Sequence, residues 1–240
     1  MTLLLFRDDA YRNACNAKVV GMNDRGGILL DQTVFYPTAG GQPGDKGTLR
    51  IAGSEVAIAI ATTVYDEAKN AVHVPAVAAT LDPGTSVSAT LDWENRYRNM
   101  RCHSLMHLLC AAVPFPVTGS AITEDGGRID FDIPEGHIPA KDELAVTING
   151  WIKEDHPIST RWIAEEELDA NPALVRTLWV KPPRGSGRVR LVSIGENDSI
   201  DLQPCGGTHL KSTGGIGPIA VAKIENKGKQ NRRIRLAFAV

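Results

Sequence analysis

The sequence predicts an α+β protein: a small N-terminal β-barrel, followed by an α+β domain in which a long helix packs on an antiparallel sheet. Three observations lead to this prediction. Short β-prone segments alternate with Gly, Pro and Asp turns up to about residue 90. One long helical signal then begins at Asp92, and mixed strand and helix signals follow it. We therefore expect two domains, residues 1–90 and 91–240.

The first domain is predicted to contain seven strands. Each is a short run rich in apolar and β-branched residues, and turn sequences such as Asp-Pro-Gly separate the runs. Strands spaced this evenly are typical of small barrels and sandwiches. The predicted strands are residues 19–20, 27–30, 33–36, 47–51, 56–64, 71–74 and 86–91.

The second domain begins with the longest helical signal in the chain. Asp92 can cap a helix over residues 93–113, and Pro114 and Pro116 end it. Apolar side chains cover two faces of this helix, so we expect it to be largely buried. Shorter helices are predicted over residues 141–152 and 164–168, and strands over residues 119–122, 128–131, 189–194, 219–225 and 233–240.

The composition is that of an ordinary folded protein. The 240 residues are 42% hydrophobic and 22% charged, which excludes a disordered or collagen-like chain. The apolar run at residues 3–6 is too short for a signal-peptide core, and charged residues interrupt every longer apolar segment. Four scattered cysteines do not form a disulfide framework. We expect a soluble, cytoplasmic protein with reduced thiols or a metal site.

His103 and His107 are the first candidate functional residues. Four positions apart on the long helix, their imidazoles lie on one face and can point at one metal ion. Cys205 and His209 form a second pair, in a polar loop that starts at Gln203 and contains two glycines. Three nitrogens and one sulfur are a favourable ligand set for Zn²⁺.

The other cysteines and histidines are expected to have no part in this site. Cys102 and Cys110 are predicted to turn away from the histidine face of the helix, and Cys15 has no partner motif. Ordinary surface or loop positions are expected for His73, His137 and His156.

Five segments are distinctive, in order along the chain: F-Y-P-T-A-G-G-Q-P-G-D at residues 35–45, H-x-x-x-H at 103–107, R-I-D-F-D at 128–132, C-G-G-T-H at 205–209 and K-G-K-Q-N-R-R-I at 227–234. Together they resemble the editing domain of alanyl-tRNA synthetase and its free-standing AlaX relatives. The resemblance is nearly full length. One departure is Ser104, where the family often has Thr, and both residues carry a hydroxyl.

The resemblance implies a zinc-dependent hydrolase of the medium-length AlaX type. Such a protein acts in trans on alanine tRNA and cleaves the ester of a wrongly attached amino acid, serine or glycine. Aminoacylation itself is not expected, because a class II synthetase domain needs more chain than remains here. The glycine-rich segment is expected to border the zinc pocket, with Thr38, Gly40, Gly41 and Gln42 as substrate contacts.

The four ligands also allow a different interpretation. If all of them bind at once, the tetrahedral sphere is closed, which is typical of a structural zinc. The alternative function is therefore a non-catalytic tRNA-binding module with structural zinc. A third possibility is a related metal-dependent hydrolase acting on a small ester or amide.

The net charge of −2 conceals a polarised chain. Residues 181–240 contain eleven Lys and Arg against four Asp and Glu, a formal charge of +7, which leaves −9 on residues 1–180. Some of these basic residues lie at a predicted hairpin turn, where they can contact phosphates. A basic loop at residues 182–188 can do the same, and a solvated charged turn is the alternative. The predicted tRNA contacts are Lys227, Lys229, Arg232 and Arg233.

Overall fold

The computed structural model describes residues 2–123, 125–134, 139–178 and 187–239. Within it the chain divides into two compact units, Met1–Asn99 and Met100–Val240. The division falls inside the long helix, and the expected domain limits at residues 90 and 91 stay a prediction. His137 and most of the basic loop at residues 182–188 lie outside the described residues.

The first unit contains a closed barrel of six antiparallel strands in the order β2-β3-β7-β6-β5-β8. A short parallel pair, β1 with β4, accompanies it. The strands are β1 (Leu3–Leu4), β2 (Ala14–Met22), β3 (Ile28–Leu30), β4 (Gln32–Thr33), β5 (Gly47–Ile51), β6 (Ala57–Tyr65), β7 (Ala71–Pro75) and β8 (Ser86–Leu91). The predicted barrel is therefore confirmed.

Alternation of side chains along the strands builds the barrel core. Cys15, Ala17 and Val19 point inward from β2, and the residues between them are exposed. The other strands contribute in the same way, so one apolar cluster forms inside the barrel. Its members include Ile28, Leu30, Leu49, Ile58, Ile60, Val87, Ala89 and Leu91.

Two sequence-based expectations for this unit are wrong. The predicted strand at residues 33–36 ends at Thr33, because the next backbone groups bond to side chains: the Phe35 amide donates to the Thr33 hydroxyl and the Tyr36 amide to the Asp45 carboxylate. His73 is not a surface histidine but is fully buried. Its ring nitrogens bond to the Thr33 hydroxyl (2.8 Å) and the Ile28 carbonyl (3.1 Å), and burial lowers its pKa to about 4.

Arg96 and Asp45 form a fully buried ion pair in the first unit. The Nε of Arg96 donates to the carboxylate, and its two terminal nitrogens donate to the carbonyls of Ala10 (2.8 Å) and Val34 (2.6 Å). One guanidinium thus joins the first turn of the long helix to three other segments. A charge buried this deeply is tolerated only because each partner compensates the other.

Among its described residues, the second unit has two antiparallel sheets and three α-helices. The four-stranded sheet has the order β14-β15-β10-β9 and the three-stranded sheet the order β11-β12-β13. The elements are α1 (Trp93–Ala112), β9 (Val117–Thr123), β10 (Gly126–Asp132), α2 (Lys141–Glu154), β11 (Ile158–Ala164), α3 (Glu165–Ala170), β12 (Arg188–Ile194), β13 (Asp201–Pro204), β14 (Ile219–Asn226) and β15 (Asn231–Phe238).

Helix α1 packs on the four-stranded sheet, as predicted. At Gly127 of β10 a side chain would lie 2.9 Å from the sulfur atoms of Cys102 and Met106, so only glycine lets the helix approach this closely. The Cys102 thiol donates to the Gly126 carbonyl at 2.7 Å. None of the helices in the described part of the chain is long and apolar enough to cross a membrane.

Strands β11 and β13 were not predicted. In β11, Ile163 is the one buried residue, so the segment lacks the apolar alternation that marks a half-buried strand. Strand β13 has four residues and ends in Pro204, which made it resemble part of a loop. Both pair with the more apolar β12.

Replacement of Arg96 by Ala should strongly destabilise the protein. The Asp45 carboxylate would stay buried without its cation, which costs about 3–5 kcal/mol in comparable pairs. The free energy of unfolding from urea titration, followed by circular dichroism, measures this loss. Arg25→Ala removes an exposed arginine from the same unit and should change stability by less than about 0.5 kcal/mol. Equal effects of the two variants would contradict the role of the ion pair.

Candidate metal centre

The four predicted ligands come together in the second unit. His103 and His107 extend from α1, Cys205 and His209 from the loop after β13, and their donor atoms all lie within 4.8 Å of one another. The Cys205 sulfur is 3.5 Å from Nε2 of His103 and 3.4 Å from Nε2 of His209. Sulfur and nitrogen ligands at about 2.3 and 2.0 Å from a tetrahedral Zn²⁺ stand about 3.5 Å apart. Donor set and spacing therefore fit zinc.

The electrostatics of Cys205 and His209 favour metal binding. Burial opposes a thiolate at Cys205, but the neighbouring His103 and His209 hold its pKa well below the usual value. Burial and the nearby His103 keep the pKa of His209 well below normal, so its imidazole is neutral. A thiolate and neutral imidazoles are the protonation states that a metal requires of its ligands.

Asp201 orients His107. Its Oδ2 lies 2.8 Å from Nδ1 of His107 and accepts a second hydrogen bond, also 2.8 Å, from the side-chain amide of Gln203. Burial opposes a charge on His107, but the hydrogen bonds to Asp201 and Cys205 raise its pKa to about 10. With Nδ1 held by a carboxylate, Nε2 is the nitrogen left for a metal, which would have to displace the proton that this raised pKa keeps on the ring.

The contacts of Asp201 and Gln203 with His107 were not predicted from the sequence. Gln203 was expected in a polar loop, but it is buried in β13, beside Asp201 on one face of the strand. The signal in the sequence was two polar residues with one apolar residue between them, just before Cys205. Among the described atoms, Oδ1 of Asp201 is buried without a hydrogen-bond partner, which is unusual for a carboxylate.

Ser104 supports a second ligand. Its hydroxyl oxygen lies 3.3 Å from Nδ1 of His209 and accepts a hydrogen bond from the Leu210 amide at 3.1 Å. If the His209 Nδ1 carries the proton, it donates to this hydroxyl and Nε2 is free to bind a metal. The departure from Thr to Ser at this position keeps the hydroxyl that the contact needs.

Arg190 of β12 fixes the loop that carries Cys205. One guanidinium nitrogen donates to the carbonyls of Cys205 and Gly207, both at 2.9 Å. The Cys205 amide donates to the Arg190 carbonyl at 3.0 Å, and the Gly207 amide lies 3.4 Å from the Cys205 sulfur. The loop is thus held on both sides, and an amide hydrogen points at the sulfur.

The remaining cysteines are buried thiols, as expected. Burial raises the pKa of Cys102 and of Cys110 to about 12. Cys110, however, is not turned away from the site, because it is close enough to Asp201 and Gln203 for both to affect its pKa. It lies one helical turn beyond His107, and so follows the histidine face.

The glycine-rich segment forms a tight turn in the first unit. Backbone hydrogen bonds join Ala39 and Gln42 in both directions, and Gly40 and Gly41 between them have φ values of +55° and +82°. Positive φ at both central positions is typical of a type I′ turn and explains the glycine pair. Gln42 is fully buried.

Thr38 precedes this turn and has a structural role in it. Its hydroxyl accepts a hydrogen bond from the Gly44 amide at 2.8 Å and donates to the Thr63 carbonyl at 3.2 Å. Its expected contact with substrate, like those of Gly40, Gly41 and Gln42, stays a prediction.

The basic hairpin joins β14 to β15, and its four predicted contact residues differ. Arg232 is buried and donates to the Asn226 side chain (2.7 Å) and to the carbonyls of Gly228 (2.8 Å) and Lys229 (3.3 Å). Arg233 forms a bidentate ion pair with Asp130 at 2.7 and 2.8 Å. Both arginines thus have partners within the protein. Lys227 and Lys229 are exposed at the turn.

Comparison with known proteins agrees with these features. A family model described as the threonyl and alanyl tRNA synthetase second additional domain matches residues 189–235, and a model described as tRNA synthetases class II (A) matches residues 9–95. The alanyl-tRNA editing protein AlaX-M of Methanosarcina acetivorans is 32% identical over 98% of this chain and 98% of its own. The chain belongs to the AlaX-M family. The AlaX-M protein of Pyrococcus horikoshii is 30% identical over 98% of this chain and 97% of its own.

Alanine–tRNA ligases are also similar to this AlaX-M chain. The ligase of Pyrobaculum neutrophilum is 34% identical over 92% of the chain, and the match covers 25% of the ligase. The family predicted from the five sequence segments is thus confirmed.

Replacement of Asp201 by Asn should weaken metal binding. The variant keeps the side-chain shape but removes the charge that orients His107, and loss of such a partner typically costs 10- to 100-fold in metal affinity. Competition with a colorimetric zinc chelator measures the affinity. Asp198→Asn is the matched control, because this nearby carboxylate pairs with Arg161 instead. An unchanged zinc affinity in Asp201→Asn would contradict the orienting role.

Proposed function

We propose that this protein is a zinc-dependent trans-editing deacylase. It hydrolyses the ester between alanine tRNA and a wrongly attached amino acid, with serine as the first candidate and glycine as the second. The observation that carries the proposal is the cluster of three histidines and one cysteine at zinc spacing. Membership of a family whose relatives are named alanyl-tRNA editing proteins supports the substrate class. Four reduced cysteines fit a cytoplasmic location.

The residues of the chain have separable roles in this proposal. His103, His107, Cys205 and His209 hold the metal. Bound zinc would polarise the ester carbonyl or lower the pKa of a bound water. The three histidines are at least 93% buried, whereas Cys205 is half-buried, so substrate approaches from the cysteine side.

Positioning residues fix two of the imidazoles before substrate arrives. Asp201 holds the His107 ring through Nδ1, and Ser104 holds the His209 ring in the same way. Ligands already in place need no rearrangement when substrate binds, which favours turnover. Thr38, Gly40, Gly41 and Gln42 remain the proposed substrate contacts.

The alternative is a non-catalytic tRNA-binding module with structural zinc. One observation favours it: the donor set is a full tetrahedral Cys-His₃ set, and structural zinc sites are closed in this way. A protein with either function would bind zinc, but only the deacylase would hydrolyse aminoacyl-tRNA.

For tRNA binding we propose Lys227 and Lys229 as the phosphate contacts of the hairpin. Arg232 ties the turn together through three backbone carbonyls and one side chain, so it presents the two lysines on a fixed loop. Arg233 is held by Asp130 on the adjacent strand. The four residues first predicted as contacts thus divide into two contacts and two supports.

Purified protein should deacylate seryl-tRNA of the alanine type and leave alanyl-tRNA intact. A chelator should abolish turnover and added Zn²⁺ should restore it, because the ligand cluster is the proposed reaction centre. Cys205→Ala and His103→Ala should lose both bound zinc and activity. Release of labelled amino acid and zinc content by elemental analysis measure the two properties.

Two variants away from the cluster serve as controls for this experiment. Cys15→Ala alters a thiol in the barrel core, and His156→Ala removes a histidine that pairs with Glu154. Both should retain zinc and turnover. Tight tRNA binding without hydrolysis would support the alternative function, and turnover that survives loss of Cys205 would refute the role of zinc.

Replacement of Lys227 and Lys229 by Ala should weaken tRNA binding and reduce its salt dependence. Each phosphate contact releases about one counterion, so the slope of log affinity against log salt should fall by roughly 2. Filter binding or fluorescence anisotropy over a range of salt concentrations measures the slope. The double Arg variant keeps both charges and should bind like the parent protein. Identical slopes for the Ala variant and the parent would exclude these lysines.

A further inference from the structure

The three-stranded sheet places an aromatic side chain on the same face as the supports of the metal cluster. Residues paired across antiparallel strands point to the same side, and alternate residues of one strand do so as well. Trp162 of β11 pairs with Arg190 of β12, and Val192 of β12 pairs with Gln203 of β13. Trp162, Arg190 and Gln203 therefore share one face.

This face, defined by Trp162, Arg188, Arg190, Gln203 and Asp201, is called the site face. Asp201 and Gln203 hold His107, and Arg190 holds the Cys205 loop, so the metal cluster lies over the β13 side of the face. Trp162 lies two strands away, at the sheet edge. Two strand spacings are about 10 Å. The opposite face carries the apolar cluster around Ile163, Val189 and Leu191.

Trp162 is unusually exposed for so large an apolar side chain. It is 39% exposed, whereas Arg190, its partner across the strands, is 7% exposed. The guanidinium of Arg188 lies over the indole ring, 5.5 Å from its centroid. A partly exposed aromatic ring next to a cation is a combination that binds nucleotides, because the ring stacks on a base and the cation attracts phosphate.

We propose that Trp162 stacks on the base of the 3′-terminal nucleoside of the aminoacyl-tRNA. This inference rests on the proposed function and names how the same site holds its substrate. The ester to be cleaved is attached to the ribose of that nucleoside, so its base lies one sugar away from the reacting carbonyl. A stacking surface about 10 Å from β13 on the site face is placed to hold that base while the ester reaches the metal cluster.

The charge on the site face agrees with this occupant. Arg188 lies beside the ring, and the phosphate that links the terminal nucleoside to the rest of the tRNA needs a cationic partner. Stacking is tolerant of sequence, because every base has an aromatic face. Trp162 therefore contributes to binding of the acceptor end and makes no contact with the amino acid.

Kinetics with seryl-tRNA test this proposal. Trp162→Ala should raise KM on the order of tenfold with little change in kcat, since stacking contributes about 1–3 kcal/mol per base. Trp162→Phe keeps an aromatic ring and should stay near the parent value. Thermal unfolding of both variants shows whether the sheet is intact. Unchanged KM in Trp162→Ala, or an equal loss in Trp162→Phe, would overturn the proposal.

A binding measurement separates this inference from the proposed function. Adenosine 5′-monophosphate should quench the tryptophan fluorescence of the parent protein, and Trp162→Phe should remove most of the quenching. Trp151→Phe changes a tryptophan on helix α2 and should preserve it. Quenching that survives in Trp162→Phe would refute the stacking role even if deacylation is observed.

Two further outcomes are decisive. A parent protein that is quenched through Trp162 but does not deacylate seryl-tRNA would refute the proposed function and leave the nucleoside site standing. A dimer in gel filtration that Trp162→Ala converts to monomer would show that the ring is an interface between two copies, and would overturn the inference.

Discussion

The second unit depends on the buried carboxylate of Asp201. A charge removed from water must be compensated, and here the compensation comes from His107 on a different element, 94 residues earlier in the chain. This contact ties helix α1 to strand β13. It also fixes the one nitrogen of His107 that can reach a metal. The contact therefore fixes the histidine face of the helix against the strand.

The ligand loop is positioned by the strand next to β13. Arg190 pairs through its backbone with Cys205 and through its guanidinium with the loop carbonyls. These contacts therefore place the Cys205 sulfur close to the His103 and His209 rings before any metal binds. Because the strand register sets the position of the Cys205 loop, a shift of β12 by one residue would turn Arg190 to the opposite face and release the loop. The candidate metal centre is in this sense a property of the sheet as much as of the four residues that could hold a metal.

The four residues of the candidate metal cluster could be predicted from the sequence, but the residues that support them could not. His103 and His107 were predictable because a spacing of four on a helix is a local relationship. Asp201, Gln203 and Arg190 act through pairing between strands, and neither β11 nor β13 was predicted. The prediction that His73 lies at the surface was wrong for a related reason. Histidine is a polar residue type, but the Thr33 hydroxyl and the Ile28 carbonyl form hydrogen bonds with its ring inside the barrel. Barrel and long helix were predictable because their patterns repeat along the chain.

The partners of the charged residues could not be predicted from the sequence either. Counting residues gave the C-terminal part a formal charge of +7, but such a count does not say where each charge is used. Arg232 bonds to the carbonyls of its own turn, Arg233 to Asp130, and Arg235 to Glu225 at 2.6 Å. A guanidinium with several fixed donors satisfies such partners well, whereas the exposed Lys227 has only a loose contact with Glu225, at 3.7 Å. The proposed attraction for tRNA phosphates therefore depends on fewer residues than the composition indicates, with Lys227 and Lys229 of the hairpin turn as the proposed contacts.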